Sequence, residues 1–254
     1  MFDDLDTISR SCFESFSRLR NAQLLDAHGV YGSVTDVPLT FFNGIATSAD
    51  PDVPAVLDFY QSRRMPFRWW LTPSTRPLEL EVTLKASGLR FAFDAKGMVA
   101  DMAKVDFDVP LAPGVSLVRV EDARGFDDWL SVLLPTFHRP PGEGAVWRAG
   151  YEQFGFGNHD TWAHFVGLLD GKPVATTSVL VAGELVGIYH VATLPEARGR
   201  GIGSAVTLAG MQHGHERGAK RAVLQSSEMG FTVYQRCGFA DVADLRLYDW
   251  RPEY

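Results

Sequence analysis

The stretch Arg198-Gly199-Arg200-Gly201-Ile202-Gly203 constrains this chain more than any other. It lies between an apolar run, Val186 to Val191, and a helical pattern that begins near Gly201. Three glycines let a backbone turn tightly and approach a ligand, because no Cβ stands in the way. The helix that follows has unpaired N–H groups and roughly half a positive charge at its start. With two arginines alongside, the run reads as a strand, a loop and a helix suited to phosphate.

At 254 residues the chain is long enough for one large domain or two modest ones. A net charge of -7 makes the loop's arginines a local feature of an acidic protein. It speaks against a broad nucleic-acid or membrane-binding surface. Cys12 and Cys237 do not make a disulfide framework. The start, Met1-Phe2-Asp3-Asp4-Leu5-Asp6, lacks the parts of a signal peptide, and no apolar run is long enough to span a bilayer, so a cytoplasmic location is expected.

Two prolines and a glycine punctuate Asp108 to Gly114, and a domain boundary is expected there. Beyond it the periodicity predicts the order β-α-α-β-β-β-α-β-α-β, a mixed α/β domain on a central sheet. Its strands fall at Val115–Val120, Trp162–Leu169, Pro173–Val181, Leu185–Val191, Arg221–Gln225 and Leu245–Trp250. Its helices fall at Phe126–Leu134, Val146–Phe154, Gly201–Glu216 and Ser227–Cys237. Asp170-Gly171 suits a tight hairpin. The first part is fainter. Helical spacing runs through Leu25, strands are expected at Val30–Val34, Thr40–Ile45 and Phe67–Leu71, and helices at Val53–Arg64 and Leu78–Ser87. Leu84-Lys-Ala-Ser-Gly88-Leu89 echoes Tyr234-Gln-Arg-Cys-Gly238-Phe239, which suggests a diverged internal duplication. The first copy has Thr47-Ser-Ala-Asp-Pro-Asp52 in place of the glycine loop, and Leu84 in place of Tyr234. An acidic loop would repel phosphates.

Three nucleotide signatures compete for the glycine run. A P-loop needs a Gly-Lys-Ser/Thr ending that is missing here, and a dinucleotide fingerprint needs different glycine spacing. Arg198-x-x-Gly201-x-Gly203, after a strand and opening a helix, resembles the pyrophosphate loop of the GNAT superfamily of acetyl-CoA-dependent N-acyltransferases. Val191 to Ala205 is similar to the family's strand-to-helix motif, Tyr234 to Phe239 to its tyrosine-to-Gly-Phe ending, and the element order is also the family's. The resemblance covers residues 115–254 well, as an N-acetyltransferase domain, and residues 1–110 resemble the degenerate first half of tandem members.

The resemblance implies roles. Backbone groups of Val191, Ala192 and Thr193 would meet the pantetheine arm of acetyl-CoA. The segment Gly199, Arg200, Gly201, Ile202, Gly203 and Ser204 would hold the pyrophosphate, flanked by Arg198. Ser227 stands where family members often have asparagine, and would cap its helix or bond the cofactor. Tyr234 would be the general acid. A phenol of pKa about 10 can donate a proton or hydrogen bond to a departing thiolate whose thiol has a pKa near 8.5. Ser227, Gly230 and Tyr234, spaced i, i+3 and i+7, are expected on one helix face, with the two small residues leaving a groove toward the phenol. An alkyl amine must also lose a proton. The central strand offers no carboxylate, which leaves His190 as the candidate base. Alternation puts Tyr189 and Val191 on the face opposite His190.

Other features read as structure. His213 and His215, two apart on a helix, make a poor metal pair. Trp69-Trp70 reads as packing and Cys237 as a packed thiol. The expectation is therefore direct transfer of an acetyl group from acetyl-CoA to a primary amine, on a small molecule or a peptide, in a ternary complex. No metal, nucleic acid or membrane is expected to take part. The alternative is a non-catalytic acetyl-CoA sensor or scaffold.

Overall fold

A computed structural model describes residues 2–72, 78–156 and 161–252. In chain order the elements are α1 (Phe2–Phe16), β1 (Gln23–Ala27), β2 (Val30–Val34), β3 (Gly44–Thr47), α2 (Val53–Gln61), β4 (Phe67–Leu71), α3 (Leu78–Ala86) and β5 (Arg90–Asp101). There follow β6 (Val115–Arg119), α4 (Ala123–Thr136), α5 (Glu143–Glu152), β7 (Trp162–Leu169), β8 (Lys172–Ala182), β9 (Leu185–Thr193), α6 (Ile202–Glu216), β10 (Arg221–Ser226), α7 (Phe231–Arg236) and β11 (Ala240–Trp250). From β6 onward the order is the expected one, as is the mixed α/β class.

The chain forms two compact units. One holds Asp3–Ile8 and Met98–Val242, and the other holds Ser9–Gly97 and the chain from Ala243 on. The strands β5 and β11 each divide between the units, so the compact units part at Gly97/Met98 and Val242/Ala243. The division of 1–110 from 115–254 stays a proposal about how the chain arose.

In the larger unit the strand order is β5-β10-β9-β8-β7-β6, with β5 represented by Met98 onward. β6 to β9 are antiparallel and β9 and β10 are parallel. Asp170 and Gly171 both take positive φ, 50° and 77°, as a two-residue hairpin between β7 and β8 requires. Helix α6 lies close against the sheet. A Cβ on Gly210 would come within 2.6 Å of Val179, and one on Gly214 within 2.5 Å of Val186. Helix α4 packs on the opposite face through Phe126, Trp129 and Leu133, all buried. The helix continues past the expected end at Leu134 to Thr136, with Pro135 in its last turn.

The smaller unit has the order β1-β2-β3-β4-β11-β5. Three expectations are corrected here. Helical spacing through Leu25 ends at Phe16: Arg18 N and Leu19 N donate three residues back in tight turns, and Asn21, at φ 56°, leads the chain into β1. The strand expected over Thr40–Ile45 starts only at Gly44. Before it, the buried Asn43 amide donates to Val37 O (2.8 Å) and Leu39 O (3.0 Å), which folds that segment into a turn. Helix α2 begins as expected, with the Asp52 carboxylate accepting from Ala55 N at 3.1 Å, but stops at Gln61. Trp69 is buried with its Nε1 donating to Thr47 Oγ1, and Trp70 packs against Ala95, Leu245 and Leu247.

The echo in the sequence is also an echo in geometry. Gly88 and Gly238 take φ 88° and 90°. Leu89 N donates to Leu84 O at 3.0 Å, and Phe239 N to Tyr234 O at 3.1 Å. Both helix ends are the same left-handed glycine stop with a six-to-one bond.

Candidate functional site

The parallel pairing of β9 with β10 runs from Leu185↔Arg221 to Ile188↔Leu224. Both strands then continue, β9 to Thr193 and β10 to Ser226, beyond the last registered pair. On its other edge β9 stays paired with β8 as far as Thr193↔Ala175. The stretch carrying Val191, Ala192 and Thr193 therefore offers one backbone edge to a ligand, as a strand offers an edge to an added strand.

A bulge marks where the strands part. Ser178 opposes Tyr189 and Thr176 opposes Ala192, so Thr177 alone faces His190 and Val191. His190 takes φ 53°, the left-handed region that side-chain-bearing residues seldom enter. Two hydroxyls pin the backbone there: Thr176 Oγ1 donates to His190 O (2.9 Å) and Thr177 Oγ1 to Tyr189 O (3.4 Å). The bulge overturns the expected alternation. The rings of Tyr189 and His190 lie 6.4 Å apart rather than on opposite faces.

The bulge directs His190 into an aromatic cluster. Trp129 and Trp147 meet its ring edge to face at 5.4 and 5.1 Å, and Tyr151 at 6.2 Å. Both ring nitrogens are buried. Burial, and then the nearby His164, hold the imidazole well below its ordinary pKa, so it is neutral at neutral pH. It is in the form that accepts a proton, and it is a weak base. Sequence reasoning missed this surround. Trp129 and Tyr151 fall inside the two helices expected at Phe126–Leu134 and Val146–Phe154, and nothing in the pattern joins them to His164 and Ser178.

Past β9, Pro195–Ala197 form one short 3-10 turn and the glycine loop follows. Arg198 Nε donates to Thr193 O at 3.1 Å, closing the loop onto the strand end. Gly201 takes φ 76° just before α6, and no side chain caps the helix. The first bond into the helix is Ala205 N to Gly201 O, 3.0 Å. The N–H groups of Ile202, Gly203 and Ser204 thus point out of the helix start. A Cβ on Gly199 or Gly201 would meet nothing within 4 Å, so the space over the loop is open. Among the described residues Arg200 makes no ion pair, and it is exposed. An uncapped helix start, bare glycines and an available guanidinium fit a pyrophosphate.

Tyr234 lies on α7, 9% exposed, with its ring against Phe239 at 6.1 Å. Among the described residues its hydroxyl makes no hydrogen bond, and burial raises its pKa above the ordinary phenol value, with a smaller push from Cys237. The helix expected over Ser227–Cys237 is shorter. Ser227 to Gly230 is a turn, with Gly230 N donating to Ser227 O (3.1 Å), and the helix starts at Phe231. Ser227 Oγ accepts from Gly230 N at 3.4 Å and so caps the turn. Gly230 does not leave a ligand groove; its missing Cβ, 2.7 Å from Tyr234 Cε2, makes room for the phenol ring itself. Cys237 is buried, its thiol 3.9 Å from Ser204 O and its pKa pushed up by burial. His213 packs against Phe165 while His215 stacks on Phe107, so the two imidazoles part.

The Arg139 to Gly144 loop borders a cavity of ≈ 510 Å³ between α4 and α5, lined by Leu130, Leu134, Pro135, Pro141 and Arg148 among others. Among the described residues the smaller unit has no counterpart to the glycine loop. In the segment that stands there, Ser48 N and Ala49 N donate to Gly29 O (2.8 and 3.1 Å), and Asp52 N donates to His28 O (3.0 Å). These three amides are spent on the protein itself.

Residues 126–239 match the Acetyltransferase (GNAT) family. Among curated proteins, a mycothiol acetyltransferase of Streptomyces griseus is 27% identical over 162 residues, covering 60% of this chain and 52% of that one. Another, of Amycolatopsis mediterranei, is 28% identical over 187 residues, covering 68% and 62%. The chain spans about half the length of the first of these relatives. Among solved structures, a GCN5-related N-acetyltransferase from Kribbella flavida superposes with a TM-score of 0.73 at 17% identity, over 97% of this chain and 95% of that one. A tandem GNAT protein from the clavulanic acid biosynthesis pathway superposes with a TM-score of 0.57 at 12% identity, over 100% and 98%. The fold is that of these proteins, and the segment 126–239 matches the acetyltransferase (GNAT) family.

Proposed function

We propose that the chain transfers an acetyl group from acetyl-CoA to the primary amine of a small molecule, by direct attack in a ternary complex. One observation carries the reading: the parted ends of β9 and β10 open beside an uncapped α6 start, and both belong to the unit that holds Tyr234. The open edge of Val191 to Thr193 would take the amides of the pantetheine arm. Backbone N–H groups from Gly199 to Ser204 would hold the pyrophosphate, with Arg200 free to pair with it and Arg198 bracing the loop. A backbone N–H at the bulge, near Val191, would polarise the thioester carbonyl.

The amine attacks that carbonyl, the carbon–sulfur bond breaks, and CoA leaves as a thiolate that Tyr234 protonates. His190, neutral in its aromatic surround, takes the proton lost by the amine. A weak base suffices where the amine reaches the site already uncharged in part. The smaller unit, whose corresponding amides are already bonded, would bind no acetyl-CoA. The relatives' name places mycothiol-type acceptors first in a substrate panel.

The test is release of free thiol from acetyl-CoA by the full chain against a panel of amines, with mass spectrometry of the products. Acetylation of at least one small amine is expected. Acetyl-CoA binding with no turnover on any amine would favour a sensor instead.

A further inference from the structure

Two buried imidazoles face the same pair of rings. Trp129 lies edge to face with both His164 and His190, at 5.3 and 5.4 Å, and Tyr151 does so at 4.5 and 6.2 Å. His164 Nδ1 is 2.7 Å from Ser178 Oγ, and both residues are buried. They are directly opposite in the β7–β8 register, and Ser178 is in turn opposite Tyr189, the residue before the bulge. One row across three strands therefore ends at Tyr189, the residue next to His190. The acetyl-transfer chemistry gives His164 no part, yet a polar ring is costly to bury without purpose, and an apolar residue would fill its place more cheaply.

We propose that His164, held by Ser178, is a positioning residue that keeps the His190 imidazole seated and uncharged at the bulge. The proposal rests on His190 having a part in the reaction proposed above. The bond at Nδ1 fixes the orientation of His164, and Trp129 and Tyr151 carry that orientation to His190 because they touch both rings. Charge acts in the same direction: a proton on one imidazole opposes a proton on the other. The ionisable groups that the described contacts bring against His190 are His164 from β7, Tyr151 from α5 and Tyr189 from β9. From α4 comes Trp129, and from β8 the Thr176 hydroxyl on its carbonyl. Of these, His164 alone is a second imidazole.

The experiment is an NMR titration of the imidazole resonances of the full chain, beside the pH profile of kcat/KM, for wild type, His164→Gln and Ser178→Ala. In His164→Gln the His190 midpoint is expected to rise by about half a pH unit or more. Ser178→Ala, which removes the contact at Nδ1, is expected to move it too, with acetyl-CoA affinity unchanged in both. An unmoved His190 midpoint in folded His164→Gln overturns the proposal. Should His164→Gln fail to fold, an unmoved midpoint in Ser178→Ala overturns it. A midpoint that rises while the acid limb of kcat/KM stays in place upholds the proposal and removes His190 as the base, so the two readings fail separately.

Discussion

The amide of Phe239 donates to the carbonyl of Tyr234 at 3.1 Å, and the two rings pack edge to face at 6.1 Å. The helix stop thus fixes the residue proposed as the acid. That anchor belongs to the Tyr234 backbone, so Tyr234→Phe keeps it while removing the hydroxyl. Turnover is expected to fall by about 10²-fold or more, with acetyl-CoA affinity near wild type by calorimetry. Because Tyr234 is held above the ordinary phenol value, no basic limb below the phenol range is expected from it.

Gly203→Ala separates stability from binding. Position 203 is in the first turn of α6, where alanine favours a helix over glycine by about 1 kcal/mol. The new Cβ would lie 3.2 Å from Thr193 Oγ1 and stand over the N–H groups proposed to hold the pyrophosphate. Thermal unfolding is expected to show Tm unchanged or raised, while acetyl-CoA affinity drops about tenfold or more, a loss of about 1.4 kcal/mol.

Arg246→Ala tests what the last strand does for the smaller unit. Arg246 donates to Glu81 (3.0 Å) and twice to Asp94 (2.8 and 3.3 Å), and Glu81 is buried. Removing the guanidinium takes a charged donor from Glu81 Oε2, which also accepts from the Tyr248 hydroxyl at 2.9 Å. A loss of about 1–3 kcal/mol is expected in denaturant unfolding. A second change in the same residues, Arg246→Ala with Glu81→Gln, should recover part of it.

Acid stability has a named contributor in His213. Burial first, then Arg217 and Arg119, lower its pKa from 6.5 to about 4. A depressed folded value means that its contribution is full above pH 6.5 and is lost as pH falls toward 4. The Tm is expected to decline through that window. His213→Gln should flatten the decline, as scanning calorimetry at stepped pH would show.

The larger unit's elements were legible from sequence because each carried its own local signal. Asp170-Gly171 gave the hairpin and Gly238 the helix stop, while the glycine loop gave the start of α6 to within one residue. What was not legible depends on partners distant in sequence. The bulge at His190 is pinned by Thr176 and Thr177 from the neighbouring strand, so alternation along β9 alone misassigned its faces. The aromatic surround of His190 joins α4, α5 and β7, and no spacing rule links those segments. The groove expected at Gly230 failed for a local reason: the space is taken up by the neighbouring phenol. In the smaller unit, Asn43 bonds the carbonyls of Val37 and Leu39 and so delays to Gly44 the strand expected over Thr40–Ile45.

The central claim is acetyl transfer at the opening of β9 and β10, with Tyr234 as the acid. Its most direct test is thiol release from acetyl-CoA with an amine panel, measured on the wild type and on Tyr234→Phe alongside calorimetric acetyl-CoA binding. The account predicts binding by both proteins and amine-dependent turnover by the wild type, lost in the variant. Equal turnover by the two, or no binding of acetyl-CoA by either, would contradict it.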